Sequence, residues 1–218
     1  MIRLSLFLLL ALVLVTQCCN ASNVNITVLT PNSTVVNNIV VYLTPKIPLK
    51  NKNILTKSLI ITQKNKQFIP YIEVTQKGYK LNFHNDDDIT HHIYSVSGKN
   101  RFSFKIKGNN EKESPVLDHI GEIAMGCNIH DWMSGYVLVV DTPYFTKTNR
   151  IGVANFNNIT PGEYKLTIWH PQLDITNNKI EQTVTVGKQT KWSINLPKNL
   201  LPIPKQASQD EFDFLEDY

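Results

Sequence analysis

From Asn23 to Phe83 no stretch of this chain repeats its apolar residues with the 3.6-residue period of a helix, which excludes most architectures at once. Asn23-Val-Asn-Ile-Thr-Val-Leu29 instead alternates polar and apolar residues, as a half-buried strand does. After the turn chemistry of Thr30-Pro-Asn-Ser33, the run Ile39-Val-Val-Tyr-Leu43 is a second strand, ended by Pro45 and Pro48. Residues 58–62, 68–74 and 79–83 are further strands, Arg101-Phe-Ser-Phe-Lys-Ile106 alternates strictly, and Gly135-Tyr-Val-Leu-Val-Val140 is the most strand-like run of all. Residues 108–114 read as a polar, hairpin-like loop. Beyond Asp141-Thr-Pro-Tyr144, strands at 151–156 and 164–169 flank the turn Asn158-Ile-Thr-Pro-Gly162. Strands at 182–186 and 191–196 form a second pair around Gly187. The predicted fold class is all-β.

The 218 residues suffice for one large or two small domains. The first of them belong to neither. Met1-Ile-Arg3 makes a short positive start, Leu4 to Val15 is apolar, and Thr16 to Ser22 is small and polar, the layout of a secretory signal peptide over 1–21. Its apolar run of about a dozen residues falls short of the roughly 20 that span a membrane, so no stable membrane insertion is expected. Cys18 and Cys19 raise a lipid anchor as the other reading, although Val15-Thr16-Gln17 is a poor lipoprotein cleavage box. Four strands after 143 are marginal alone, so that module packs on its neighbour or borrows the strands of 22–57. The expected order is a main β-domain over 58–142, a small β-module over 143–197, and an acidic tail with little fixed structure over 198–218. Lys46 to Lys57, basic and Asn-rich, reads as a surface loop.

With the leader removed, Cys127 is the one cysteine left, a free thiol in an oxidising compartment. It lies in Gly126-Cys-Asn-Ile-His-Asp-Trp-Met133, where Cys127, His130 and Met133 stand three residues apart between two strands. Thiolate, imidazole and thioether on one short loop suit copper, and a trigonal site of two His and one Cys with a weak axial Met is how electron-transfer copper centres are built. Zinc accepts Cys and His, but Met is a poor zinc ligand. The second imidazole comes from His91 or His92, which open a strand behind the turn Asn85-Asp-Asp-Asp88; neighbours on a strand point to opposite faces, so only one of the two can face the metal. The acidic turn lacks the spacing and Gly of a calcium loop and reads as solvated. His119 and His170 have no companion donors, and Trp169 and Trp192 read as core residues of the second module. Trp132 is either part of a docking patch or a buried anchor of the loop.

The formal charge is +4, but Asp210 to Tyr218 holds five acids and no base, so the rest of the chain is decidedly basic. No Lys/Arg block or aromatic-interleaved basic motif stands out, which argues against nucleic acid as a partner. A basic body can help meet an acidic partner.

At these residues the sequence resembles the cupredoxins, the small blue-copper β-sandwiches. Cys127-x-x-His130-x-x-Met133 is similar to the short ligand loop of amicyanin. The fuller pattern is Phe83-x-Asn85-Asp86, then Thr90-His-His-Ile-Tyr-Ser95, then Gly126 to Met133. It resembles the bacterial periplasmic methylamine-utilisation or plastocyanin-like proteins, and the likeness continues through 139–144 and 161–171. The resemblance implies a Greek-key cupredoxin sandwich followed by a small carboxypeptidase-regulatory-like sandwich, although the usual turn acids of that module are missing at 149–153. It implies one type 1 copper held by His91, Cys127, His130 and Met133, with His92 where a supporting Asn stands in relatives and His84 at a non-ligand position. It further implies a periplasmic carrier of single electrons, not an enzyme, that meets a transient redox protein partner as a monomer. The other readings are a copper-handling protein that does not shuttle electrons, and a β-sandwich binding module with a structural metal. Cysteine catalysis finds no support, since no separate base or oxyanion arrangement can be named.

Overall fold

The computed structural model describes residues 21–49 and 59–206. The leader with Cys18 and Cys19, most of the Lys46 to Lys57 loop, and the acidic run from Asp210 to Tyr218 lie outside the described residues.

The chain is all-β. Its strands are β1 (Ser22–Leu29), β2 (Val40–Pro45), β3 (Leu59–Lys64), β4 (Gln67–Ile69), β5 (Ile72–Gln76), β6 (Leu81–Asn85), β7 (His91–Ser95) and β8 (Phe102–Ile106). They continue as β9 (Glu111–Glu113), β10 (Gly121–Cys127), β11 (His130–Val140), β12 (Phe145–Lys147), β13 (Val153–Ile159), β14 (Gly162–Trp169), β15 (Lys179–Val186) and β16 (Lys191–Asn195). The polar loop over 108–114 thus contains the short strand β9. Pro70, which has no N–H to give a ladder, divides the single strand expected over 68–74 into β4 and β5, and the two halves join different sheets.

One sandwich faces a four-stranded sheet, β4-β3-β6-β9, against a five-stranded one, β5-β11-β10-β7-β8. The chain crosses repeatedly between them, which produces the parallel pairs β3·β6 and β5·β11 among antiparallel neighbours. Alternation supplies the core. Ile61, Phe68, Leu81 and Phe83 from one sheet meet Ile93, Ile106, Ile123, Met125, Val137 and Val139 from the other, all buried. It is a two-sheet β-sandwich, the architecture that the resemblance implies for this part of the chain.

The second sandwich faces β13-β1-β16 against β12-β2-β14-β15. The N-terminal strands are its centre: β1 lies between β13 and β16, and β2 between β12 and β14. Val24, Ile26 and Val28 pack with Val41, Leu43, Leu166, Ile168 and Ile194. The pairing expected around Gly187 is not formed, because β15 runs beside β14 while β16 pairs in parallel with β1 in the opposite sheet. Both ends of that turn are half-buried strands whose apolar faces must close the same core from opposite sides, and this outweighs local hairpin closure.

Trp169 does not lie in the second module's own core. It joins Val40, Ile72, Val74, Leu138 and Val140 in a buried cluster between the two sandwiches, whereas Trp192 packs against the second core as expected. Lys147 Nζ, donating to the Ile72 carbonyl at 2.8 Å and to Glu73 at 3.2 Å, and Gln172 Nε2, donating to Tyr71 Oη at 2.9 Å, tie the sandwiches at the edge of that cluster. Residues 198–206 have no regular secondary structure, yet Leu200 packs on the second core and Gln206 hydrogen-bonds to the first sandwich. Among the described residues no helix is long and apolar enough to cross a membrane.

Candidate metal centre

The site grows from two adjacent strands and the turns that close them. β10 and β11 are paired residue by residue from Gly121↔Val139 to Gly126↔Ser134, and then the register jumps to Cys127↔His130. Asn128 and Ile129 make the tip, and the unmatched residues Asp131, Trp132 and Met133 bulge out of the ladder. The jump lets Cys127 and His130 converge although one stands at the end of a strand and the other at the start of the next. β7 pairs beside β10, with Ile93 opposite Cys127, and so brings the start of β7 to the same end.

His91, Cys127 and His130 come together there. Their donor atoms all lie within 4.8 Å of one another, and Cys127 Sγ is 3.7 Å from Nδ1 of both His91 and His130. All three are buried, His91 completely, while His130 retains 7% exposure and is the member nearest solvent. Met133 is also fully buried, in the same apolar cluster as Cys127.

Strand alternation resolves the choice between adjacent histidines. His92 points to the other face, where Nε2 meets Ser103 Oγ at 2.9 Å and Nδ1 accepts from the Asn128 side-chain amide at 3.0 Å. It braces the loop: its carbonyl accepts the Asn128 N–H at 3.0 Å and its own N–H points at the Cys127 sulfur. His84 faces Glu111 at 3.0 Å, and His119 is exposed, both away from the cluster.

The acidic turn is only partly solvated. Asp86 and Asp88 are exposed, but Asp87 turns inward and its Oδ2 lies 2.7 Å from His91 Nε2. The same carboxylate accepts the backbone N–H groups of Asn65 at 2.7 Å and Lys66 at 3.0 Å, which fold back as a tight turn with both residues at positive φ. Asn85 shapes this turn from within: buried, it accepts the Asp87 N–H at 3.1 Å and donates to the carbonyls of Ile89 and Ile106. The sequence signal for Asp87 was its place four residues before His91, but four residues across a turn do not reveal which of three consecutive acids points in.

Electrostatics favour a thiolate. Burial opposes ionisation of Cys127, but the hydrogen bond from His91 and the backbone N–H groups of Ile129 and His92 outweigh it, and the thiol lies below its ordinary pKa. Burial also opposes charge on His91, yet Cys127 and Asp87 on either side raise it above the usual histidine range. For His130 burial again comes first, and the positive neighbours His91 and Lys66 add to it, so this imidazole is held neutral. His91 donates through Nε2 to Asp87 and so presents Nδ1 to the sulfur; His130 likewise presents Nδ1. One thiolate and two imidazole nitrogens at a buried point, with a buried thioether on the same loop, are a soft donor set that fits copper. The Trp132 ring lies 5.3 Å from the His130 ring and is half-buried, so it both anchors the loop and borders its surface.

No family model and no curated protein matches the chain. Solved structures are similar to it in part. A reduced variant of amicyanin matches over 46% of this chain and 98% of its own, at 13% identity and a TM-score of 0.36. A purple cupredoxin from Nitrosopumilus maritimus matches over 38% of this chain and 100% of its own, at 21% identity and a TM-score of 0.34. A copper-containing nitrite reductase from Thermus scotoductus SA-01 matches over 44% of this chain at 18% identity and a TM-score of 0.37; the match spans 25% of that enzyme's length.

Proposed function

We propose that this protein is a periplasmic type 1 copper protein that carries single electrons between redox partners and catalyses no reaction of its own. The observation that carries the reading is the buried triangle in which Nδ1 of His91 and Nδ1 of His130 each lie 3.7 Å from Cys127 Sγ. His91, Cys127 and His130 would hold the ion, with the buried thioether of Met133 on the same loop as a further, weaker donor. Copper bound there would supply one-electron chemistry between its two common oxidation states. The chain's part is to keep the donors in place whichever state is present. Asp87 fixes the His91 ring, two backbone amides hold the sulfur, and the strands behind them leave little room to rearrange. His130, the least buried ligand, has Trp132 and the exposed Ile129 beside it, and a partner would approach on that side through a small interface. Secretion rests on the signal-like leader of the sequence.

The test is reconstitution of the secreted protein with copper, followed by its visible spectrum and reduction potential. An intense blue thiolate band that reductant bleaches reversibly is expected. A protein that binds only Cu(I) and stays colourless would replace this reading with copper handling.

A further inference from the structure

The second sandwich holds one end of a short strap whose other end is fastened to the metal loop. Leu200 packs on the second core, and the Leu201 N–H donates to the Gln172 carbonyl at 2.9 Å. Pro202, Ile203, Pro204 and Lys205 then cross, exposed, to the first sandwich. There the side chain of Gln206 grips a single residue at two points: its Oε1 accepts the Ser134 N–H at 3.1 Å, and its Nε2 bonds to Ser134 Oγ at 3.0 Å. Its carbonyl accepts from Gln67 Nε2 at 3.0 Å, on edge strand β4.

The position of this grip gives it a consequence. Ser134 follows Met133 directly, and its pairing with Gly126 is the last regular rung before the ladder breaks into the metal loop. Gln67 follows Lys66, whose N–H helps hold Asp87 against His91. One residue thus clamps two places, the back of the Met133 bulge with its side chain and the base of the turn that orients His91 with its carbonyl. The strap is short, and two prolines restrict its conformations, so it transmits position instead of absorbing it.

We infer that Gln206 is a positioning residue for the metal loop, through which the second sandwich sets the placement of Met133 and thereby tunes the copper site. The inference rests on the copper reading for its electronic consequence, but the clamp can be measured without metal. In metal-free protein, amide hydrogen exchange at Ser134 and Met133 should quicken in Gln206→Ala and in a chain ended after Lys205, and Gln206→Glu, which keeps an acceptor for the Ser134 N–H, should restore part of the protection. In copper-loaded protein the same two variants should raise the reduction potential and alter the visible band, because a Met133 thioether held less firmly would support the oxidised ion less. Gln206→Glu should fall between them and the parent. Ser134→Ala, which removes only the hydroxyl, should move the potential in the same direction by less, and add nothing further when combined with Gln206→Ala. Unchanged exchange at Ser134 would overturn the clamp. Lowered melting temperature with unchanged spectrum and potential would overturn the tuning and leave an ordinary structural tie. A protein that never forms the band removes the copper reading while the exchange result still decides whether the clamp exists.

Discussion

The carboxylate of Asp87 lies 2.7 Å from Nε2 of His91, so the ring that faces Cys127 is held from behind by a residue on the preceding turn. The contact fixes the tautomer and the tilt of the imidazole. Outer partners of this kind are worth about 10–100-fold in metal affinity. Asp87→Asn, of nearly equal size but unable to accept the bond with a full charge, should weaken copper binding within that range and leave the fold intact. Competitive copper titration beside circular dichroism will read both. Unchanged affinity would mean that the strands alone orient the ring.

The two adjacent histidines face different partners, His91 the Cys127 sulfur and His92 Ser103 and Asn128, and substitutions should separate their roles. Cys127→Ser should abolish the blue band, and His91→Ala should remove it as well. His92→Ala should keep it in altered form, because only the bracing of Asn128 and Ser103 is lost. The measurement is the visible and electron paramagnetic resonance spectrum of each copper-loaded variant. A band that survives His91→Ala and vanishes with His92→Ala would reverse the assignment.

Gly108 supports the Asp87 turn by its lack of a side chain. A Cβ there would lie 2.5 Å from both the carbonyl carbon and the carbonyl oxygen of Asp88, which are backbone atoms that cannot swing aside. The neighbouring Asn109 N–H donates to the Asp87 carbonyl at 3.1 Å, so the displacement would reach the carboxylate that holds His91. Gly108→Ala should cost about 1–3 kcal/mol of stability, as overpacking does. Urea melts will give that figure, and copper affinity should fall with it. A neutral result would show that the two turns can slide apart.

His170 makes stability depend on pH. Burial pushes its pKa down to about 4, and its Nδ1 accepts the Gln172 N–H at 3.1 Å, a bond that a proton on Nδ1 would break. In the unfolded chain the same imidazole titrates near its ordinary value of about 6.5. The unfolded state therefore takes up the proton first as pH falls. Stability is fully present above about 6.5 and is lost progressively towards pH 4, by up to about 3 kcal/mol. Denaturant melts of the metal-free protein at pH 7 and pH 5 should show the loss, and His170→Gln should flatten the dependence. Equal melts at the two pH values would place the histidine's proton elsewhere.

Much of this architecture is legible in the linear chain because strand burial has a period of two. Val24, Ile26 and Val28 announce a buried face by their spacing, and they are the face that packs in the second core. The ligand loop is equally legible, since Cys127, His130 and Met133 are close in sequence and chemically distinctive. Asp87 was hidden because direction at a turn depends on contacts with Asn65 and Lys66, about twenty positions away. Trp169 was misplaced because an apolar residue at the end of a strand reads the same whether it fills a module's own core or the seam between two modules. Gln206 was invisible, because a polar residue in a proline-rich segment carries no sign of the serine it will reach.

The sequence by itself determined the all-β character, the soft donor set, and the restriction that only one of His91 and His92 can face a metal, all local consequences of residue chemistry and of the alternation of side chains along a strand. The tertiary structure decided which of the two histidines faces Cys127, which acid stands behind it, that the first strands of the described chain complete the last module, and that the strap returns to Ser134. Those are matters of which surfaces meet, and they depend on closing two cores at once, a condition that no segment of the chain expresses alone.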